Sequence, residues 1–360
     1  MDLSVGKDSP LAHPTVEERP PTQAASTFQA ADASLKGEPS SELSRPVRPR
    51  AQLRQRAPSR LPDKLYGAVL WVLAFSVVAA LILVTVQLAA LCGPSLKQFG
   101  PSFLVRSDWD PTSDVFGALP FLVGTLVTAL EAMALAVPLG LGTAIFLSEM
   151  SDRRLKGWVR FPIEMLAAVP SVVYGLWGLG QLAPLLRVHV EPALHATRLG
   201  IFAGPALGVG ILAAGLVLAV MVFPTVVALS LEVFQAVPHE QREAFYALGA
   251  TRWEMIRSGL LPYSRTGLFG ACLLALGRAL GETMAVAMVI GNNPDMIKSL
   301  LGTGSTLASV IANEFTEAVG DMHRAALAEL GLVLLVMTLV IAVIARMLVQ
   351  GMGRSFKVNA

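Results

Sequence analysis

Long apolar segments alternate with polar segments along the whole chain. The apolar segments lie at roughly residues 65–91, 119–148, 162–184, 207–230, 267–291 and 326–349. Each reaches the roughly 20 residues that a helix needs to cross a bilayer. Only helices and closed barrels satisfy their backbone hydrogen bonds in lipid, and windows of this length indicate helices. The pattern predicts an all-α membrane protein with six transmembrane helices.

Composition agrees with this interpretation and separates one region from the rest. Of the 360 residues, 54% are hydrophobic and 15% are charged, which is too apolar for a soluble domain. Residues 1–60 differ because they are rich in Pro, Ser, Ala and Glu and end in an arginine-rich run. We therefore expect a disordered basic tail over residues 1–60 and a membrane domain over residues 61–360.

The polar connections predict how the helices are oriented. Basic residues are concentrated in the tail, in the predicted loops 149–161 and 231–266, and at the chain end, whereas the other connections are richer in Asp and Glu. Positive residues favour the cytoplasmic side of a membrane. Both termini are therefore expected in the cytoplasm.

The apolar window 267–291 contains two charged residues, Arg278 and Glu282. On a continuous helix the i,i+4 spacing would place both side chains on one face. Ionisable residues at this depth usually face a bundle interior or an aqueous path. The pair is expected either to mark a substrate path or to neutralise itself while joining two helices.

Proline and glycine residues interrupt the second and third windows. Pro138 and Pro170 are expected to kink or break their helices, because proline removes a hydrogen bond and clashes with the preceding turn. Such breaks can surround a central cavity, although both residues are also common in spanning helices. Ser171 and Tyr174 are the polar groups that the second break would present. Glu131 could line the same path or accept a hydrogen bond from another helix.

The loop over residues 231–266 has the signals of two helices. Pro238 suits a helix start, and Val237, Ala244, Phe245 and Leu248 recur at helical spacing. Gly249 suits the left-handed residue that ends the helix. A Thr-x-x-Glu capping box at residues 251–254 then opens a second short helix, which we expect Pro262 to close. Because nothing in the chain obviously covers the whole apolar stripe, a protein partner is expected there.

The letters E-A-F-Y-A-L-G-A-T over residues 243–251, followed by Leu-Pro at 261–262, resemble the EAA loop of ABC-importer permeases. In that family the loop is a coupling helix that docks in a groove of the ATPase subunit. Phe245 departs from the pattern, which has a second Ala at this position. The resemblance implies a type I ABC importer permease fold. It also implies ATPase contacts at Glu243, Ala244, Gly249, Arg252 and Trp253.

Four further stretches, at residues 136–150, 167–180, 277–292 and 306–315, resemble the C-type permease subunits of phosphate-specific ABC importers, the PstC family. This resemblance implies a transmembrane permease subunit of an ATP-driven phosphate importer in the bacterial inner membrane. The implied partners are a second permease subunit (PstA-like), an ATPase dimer (PstB-like) and an extracytoplasmic phosphate-binding protein (PstS-like). No G-x-x-x-x-G-K-[ST] sequence occurs, so ATP hydrolysis is expected from a partner, and no cofactor is expected.

The resemblance also suggests which residues form the substrate path. The expected residues are Arg278, Glu282, Thr283, Ser171 and Tyr174. The guanidinium of Arg278 can give an oxyanion two hydrogen bonds, and Glu282 can hold Arg278 or accept a hydrogen bond from protonated phosphate. Similar stretches occur in sulfate and molybdate permeases, so a permease for another tetrahedral oxyanion and the sister phosphate permease, PstA, remain alternatives. An enzyme would need a catalytic cluster at spanning depth, and a channel or scaffold would not need an EAA-type loop.

Overall fold

The computed structural model describes residues 60–357. Apart from Arg60, the predicted disordered tail lies outside these residues. Contacts along the chain define two units. The first unit, Met1–Val72, is described only over the beginning of the first helix, and the second unit, Leu73–Ala360, contains all the later helices.

The regular structure of residues 60–357 is helical. In chain order the helices are α1 (Arg60–Leu91), α2 (Gly93–Phe99), α3 (Leu119–Met150), α4 (Arg153–Ala168), α5 (Ser171–His195), α6 (Ile211–Gln235), α7 (His239–Ala247), α8 (Arg252–Gly281), α9 (Met284–Val289), α10 (Leu307–Glu314) and α11 (Asp321–Lys357). Five of them, α1, α3, α6, α8 and α11, are each long and apolar enough to cross a membrane, and a sixth crossing results if the bent pair α4–α5 is one span. The predicted all-α class is confirmed, with five to six helical spans in the described residues.

The third apolar segment is broken at Pro170, as the sequence predicts. The predicted window 162–184 lies within the pair α4–α5, whose two helices meet at an angle of 97° and together are long and apolar enough for one crossing. Pro170 accounts for the bend, since proline disfavours the α conformation at the residue before it. Val169 is accordingly extended, with ψ 130°. By contrast, α3 continues through Pro138 without interruption.

The fifth predicted window, 267–291, is not one helix. α8 ends at Gly281, Glu282 is extended with ψ 128°, and α9 begins at Met284. The prediction of a continuous helix is wrong because the backbone is extended at Glu282, whose carboxylate accepts a hydrogen bond from the backbone N–H of Ala285 (3.3 Å) in the first turn of α9. The i,i+4 relation between Arg278 and Glu282 is therefore lost.

Two helices contain π-helical turns that end two positions before a proline. Pro184 and Pro192 follow such turns in α5, and Pro262 follows the turn Met255–Leu260 in α8. Proline lacks an N–H and its ring clashes with the carbonyl four residues earlier, so a widened turn accommodates both effects. The prediction that Pro262 closes a short helix is therefore wrong, and the helix runs on to Gly281.

The most extensive helix contact in the described chain joins α3 and α6. Small side chains in the shared core let the two backbones approach: Ala129, Ala132, Ala136, Ala213, Ala214 and Ala219. At Gly140 an added Cβ would lie 2.7 Å from Cγ1 and 2.9 Å from Cβ of Val226, whereas at Gly142 it would meet nothing within 4 Å. The fit between α3 and α6 therefore requires a glycine at position 140 but not at position 142.

These neighbouring glycines provide a matched test of the packing. Gly140→Ala is expected to destabilise the purified protein by about 1–3 kcal/mol, because Val226 cannot move its Cβ away without shifting α6. Gly142→Ala is expected to be neutral or stabilising by up to about 1 kcal/mol. Thermal unfolding in detergent measures both effects. Equal melting temperatures for the two variants would contradict the close α3–α6 contact.

Candidate functional site

Arg278 lies in the last turn of α8, with its side chain exposed. Its Nη1 donates a hydrogen bond to Oγ1 of Thr225 on α6 (3.3 Å). The guanidinium also lies near enough to the Tyr174 phenol on α5 for an electrostatic interaction. The charge therefore lies where α5, α6 and α8 meet.

Glu282 lies in the interruption between α8 and α9 and does not neutralise Arg278. Among the described residues, Arg160–Glu164, Arg242–Glu149 and His323–Glu314 form ion pairs, and no ion pair joins Arg278 to Glu282. Glu282 instead accepts the Ala285 N–H, and the Thr283 hydroxyl donates to the Gly281 carbonyl (3.2 Å). The hypothesis of a self-neutralising pair is therefore not supported by the geometry.

Ser171 and Tyr174 lie in the first turns of α5, which packs against α9 beside the same interruption. At Gly175 an added Cβ would lie 2.6 Å from Sδ of Met288 and 3.2 Å from Cα of Ala285, so α5 packs directly on α9. The Tyr174 hydroxyl donates to the Leu166 carbonyl (2.6 Å) across the bend between α4 and α5. Of the predicted path residues, Arg278 and Tyr174 lie within electrostatic range of each other. Glu282 and Thr283 lie at the neighbouring start of α9.

Thr225 was missed by the sequence reasoning. It lies inside the apolar α6 and directly follows Pro224. A hydroxyl next to a proline in a spanning segment is the signal that could have identified it, because such side chains often satisfy groups freed by the proline.

Three other buried carboxylates lie outside this group. Glu131 lies against Gly215 of α6, where an added Cβ would be 2.3 Å from its Cδ, and neither carboxylate oxygen has a partner within the described chain. Glu191 accepts hydrogen bonds from the Gly208 N–H with both oxygens (3.1 and 3.0 Å). Glu329 of α11 is buried beside Ser95. Glu131 thus packs between α3 and α6. The sequence reasoning did not single out Glu329, although an acidic residue inside the sixth apolar window is a signal for a buried carboxylate.

The loop that resembles the EAA segment has the predicted local structure. Gly249 has φ 80°, in the left-handed region that favours glycine. The Thr251 side chain accepts from the Glu254 N–H (3.3 Å), and the Glu254 carboxylate accepts from the Thr251 N–H (2.8 Å). This reciprocal pair is the predicted capping box. Pro238 is the N-cap residue immediately before α7.

Part of the predicted apolar stripe is covered by the chain itself. Val237 is buried, and the Phe245 ring lies over Gly259, where an added Cβ would be 2.6 Å from the ring. The absent side chain at Gly259 explains how Phe245 is accommodated. Ala244 and Leu248 remain exposed. The other exposed residues of the predicted ATPase surface are Glu243, Gly249, Arg252 and Trp253.

Arg242 fixes this loop to the spanning helices and was not singled out from the sequence. It forms an ion pair with Glu149 in the last turn of α3 (3.0 Å) and also donates to the Phe234 and Val237 carbonyls (2.7 and 3.0 Å). The end of α3, the end of α6 and α7 therefore lie together on one side of the molecule, which we call the α7 side. Local sequence patterns do not reveal this contact, because the charged partners are 93 positions apart in the chain.

Comparisons with known proteins give consistent matches. Residues 136–354 match the family model described as "Binding-protein-dependent transport system inner membrane component". The chain is 43% identical over 292 residues to the "Phosphate transport system permease protein PstC" of Mesorhizobium japonicum, which covers 79% of this chain and 89% of that protein. It is 45% identical over 280 residues to the protein of the same description from Xylella fastidiosa, which covers 76% and 86% of the two chains.

One solved structure resembles the fold. It is a chain of a bacterial ABC transporter involved in the import of the acidic polysaccharide alginate. The TM-score is 0.53 at 15% sequence identity, and the match covers 80% of this chain and 99% of that chain. At this identity the similarity concerns the arrangement of helices alone.

Proposed function

From the premise that the chain belongs to the PstC family of phosphate transport system permeases, and is a membrane permease subunit of a phosphate ABC importer, we propose that phosphate passes along the face where α5, α6 and α8 meet. The observation that carries the proposal is the environment of Arg278. Its guanidinium is exposed, its hydrogen-bond partner is the neutral Thr225 hydroxyl, and no carboxylate of the described chain forms an ion pair with it. A guanidinium that is exposed and forms no ion pair can donate charge-assisted hydrogen bonds to an oxyanion.

Neighbouring polar groups would complete the path. Ser171, Tyr174 and Thr283 supply hydroxyl groups around the interruption between α8 and α9. In the described chain Glu282 accepts one hydrogen bond, through Oε1. Its remaining oxygen would accept a hydrogen bond from protonated phosphate, whereas sulfate at neutral pH has no such proton. Glu282 would therefore favour phosphate over sulfate.

The path needs a second wall from another polypeptide. Because the Arg278 side chain is exposed in the single chain, we propose that a PstA-like permease faces it across the path. A PstS-like binding protein would deliver phosphate from the extracytoplasmic side. Arg153, Arg154, Lys156 and Arg242 lie in or beside the turns of the α7 side, which supports a cytoplasmic position for this side and for both termini.

The exposed surface of α7 and the start of α8 would contact a PstB-like ATPase dimer. Leu248 and Trp253 offer apolar area, and Glu243 and Arg252 offer charges beside it. ATP hydrolysis belongs to that partner. Closure of the ATPase dimer would move α7 and change the accessibility of the path.

Replacement of the path arginine is expected to stop transport without preventing assembly. In vesicles containing the complete importer, Arg278→Gln should lower ATP-driven phosphate uptake by roughly ten- to a hundredfold, the value of one or two charge-assisted hydrogen bonds. The matched control is Arg160→Gln, because the Arg160 side chain is 58% exposed and lies on α4. Wild-type uptake by Arg278→Gln would refute the proposed path. Uptake of radiolabelled phosphate in the presence of sulfate or molybdate tests the selectivity.

Replacement of the exposed leucine beside Gly249 is expected to weaken ATPase docking. Leu248→Ser should reduce ATPase association by roughly ten- to a hundredfold, because an apolar side chain buried at the interface contributes about 1.5–3 kcal/mol. Val319→Ser is the control, since Val319 is 87% exposed, Leu248 is 86% exposed, and Val319 lies between α10 and α11. Titration of the permease complex with purified ATPase measures the affinity. Identical affinities for both variants would contradict docking at α7.

A further inference from the structure

The Arg242 side chain is directed into its own chain and away from the proposed ATPase surface. It lies on α7 and is 14% exposed, and its partner Glu149 is 9% exposed. Nη2 donates to Oε1 of Glu149 and to the Phe234 carbonyl, and Nη1 donates to the Val237 carbonyl. One guanidinium therefore holds three acceptors from three parts of the chain.

Two of the acceptors lie at the ends of spanning helices, and the third lies between α6 and α7. Glu149 lies in the π-helical last turn of α3, where the Ser148 hydroxyl also donates to its Oε1 (2.7 Å). Phe234 is in the last turn of α6, where a cation is favoured by the helix dipole. Val237 lies in the short connection to α7. Arg242 thus connects α7 to the ends of both helices that form the most extensive contact of the described fold.

A planar guanidinium is suited to this connection. Its N–H donors have fixed relative directions, so it can bind a carboxylate and carbonyl oxygens simultaneously. A lysine at this position would supply the charge as a single compact ammonium group. Phe234 and Val237 are also buried in an apolar cluster with Met255, Ile256 and Leu260, which surrounds the connection. The contact is therefore both polar and enclosed.

The connection leads to the proposed path through α6. Thr225, which accepts the hydrogen bond from Arg278, lies nine residues before Phe234 in the same helix. At 1.5 Å per residue this separation is roughly 14 Å. A displacement of α7 that is transmitted to the end of α6 would therefore move the Thr225–Arg278 contact.

We propose that Arg242, paired with Glu149, is a positioning residue that transmits movement of α7 to α3 and α6 and so couples ATP hydrolysis to opening of the phosphate path. This inference rests on the proposed function of α7 and Arg278. It assigns to Arg242 a role distinct from ATPase docking, because its side chain faces the spanning helices. Loss of the pair should therefore leave docking intact and lower the amount of phosphate moved per ATP.

The test compares phosphate uptake with ATP hydrolysis in vesicles that contain the complete importer and its binding protein. Arg242→Gln and Glu149→Gln should each lower the phosphate-to-ATP ratio by about tenfold, with ATPase association unchanged. Arg242→Lys should recover part of the ratio, since it keeps the charge opposite Glu149. The double variant should be no worse than the poorer single variant, because the two residues act through one contact. Arg160→Gln, from the exposed pair Arg160–Glu164, is the matched control and should keep the wild-type ratio.

A wild-type ratio in both Arg242→Gln and Glu149→Gln, with only the melting temperature reduced, would overturn the inference and leave the pair a structural role. If Arg242→Gln does not assemble, Glu149→Gln decides, because it retains the guanidinium and its two carbonyl contacts. Failure of the proposed function is visible separately. It would appear as unchanged phosphate uptake in Arg278→Gln, whereas failure of this inference appears only in the ratios of the Arg242 and Glu149 variants.

Discussion

A helix that ends within an apolar region must find partners for its terminal backbone groups, because lipid offers none. The interruption between α8 and α9 meets this requirement with the Glu282 carboxylate, which accepts the Ala285 N–H, and with close packing of α5 at Gly175. The same interruption leaves Arg278 in the last turn of α8, beside Thr225 and Tyr174. The polar groups of the proposed path lie together because the backbone breaks at this point.

Helix α6 relates this site to the α7 side. Near its middle it carries Thr225, which contacts Arg278, and at its end it presents the Phe234 carbonyl to Arg242. Its extensive contact with α3 depends on small residues, including Gly140 and Gly215. A single rigid helix pair therefore contacts both the proposed path and the proposed coupling segment, which gives a physical route for movement between them.

Local features could be predicted from the sequence, and long-range features could not. The spanning helices, the left-handed Gly249 and the capping box at Thr251 depend on short patterns, and the structure contains all three features. The continuous helix through Glu282 was wrong because hydropathy does not register the change of backbone direction at this residue. The Arg242–Glu149 pair was missed because it joins residues that come together only when α3, α6 and α7 pack. Thus Arg278 and Tyr174 of the proposed path were predicted from the sequence, whereas Thr225, which binds Arg278, required the fold.

Accessibility at Thr225 tests the central claim that the α5–α6–α8 face forms the phosphate path. The measurement is the rate of modification of a Thr225→Cys variant by a water-soluble thiol reagent in the assembled importer, with Cys92 and Cys272 replaced by Ala. An Ala214→Cys variant in the buried part of α6 is the control. If phosphate passes along this face, the cysteine at position 225 should react in at least one nucleotide state, and phosphate should slow this reaction. The cysteine at position 214 should stay unreactive. A cysteine at position 225 that is unreactive in every nucleotide state, or whose modification rate phosphate does not change, would contradict a path along the α5–α6–α8 face.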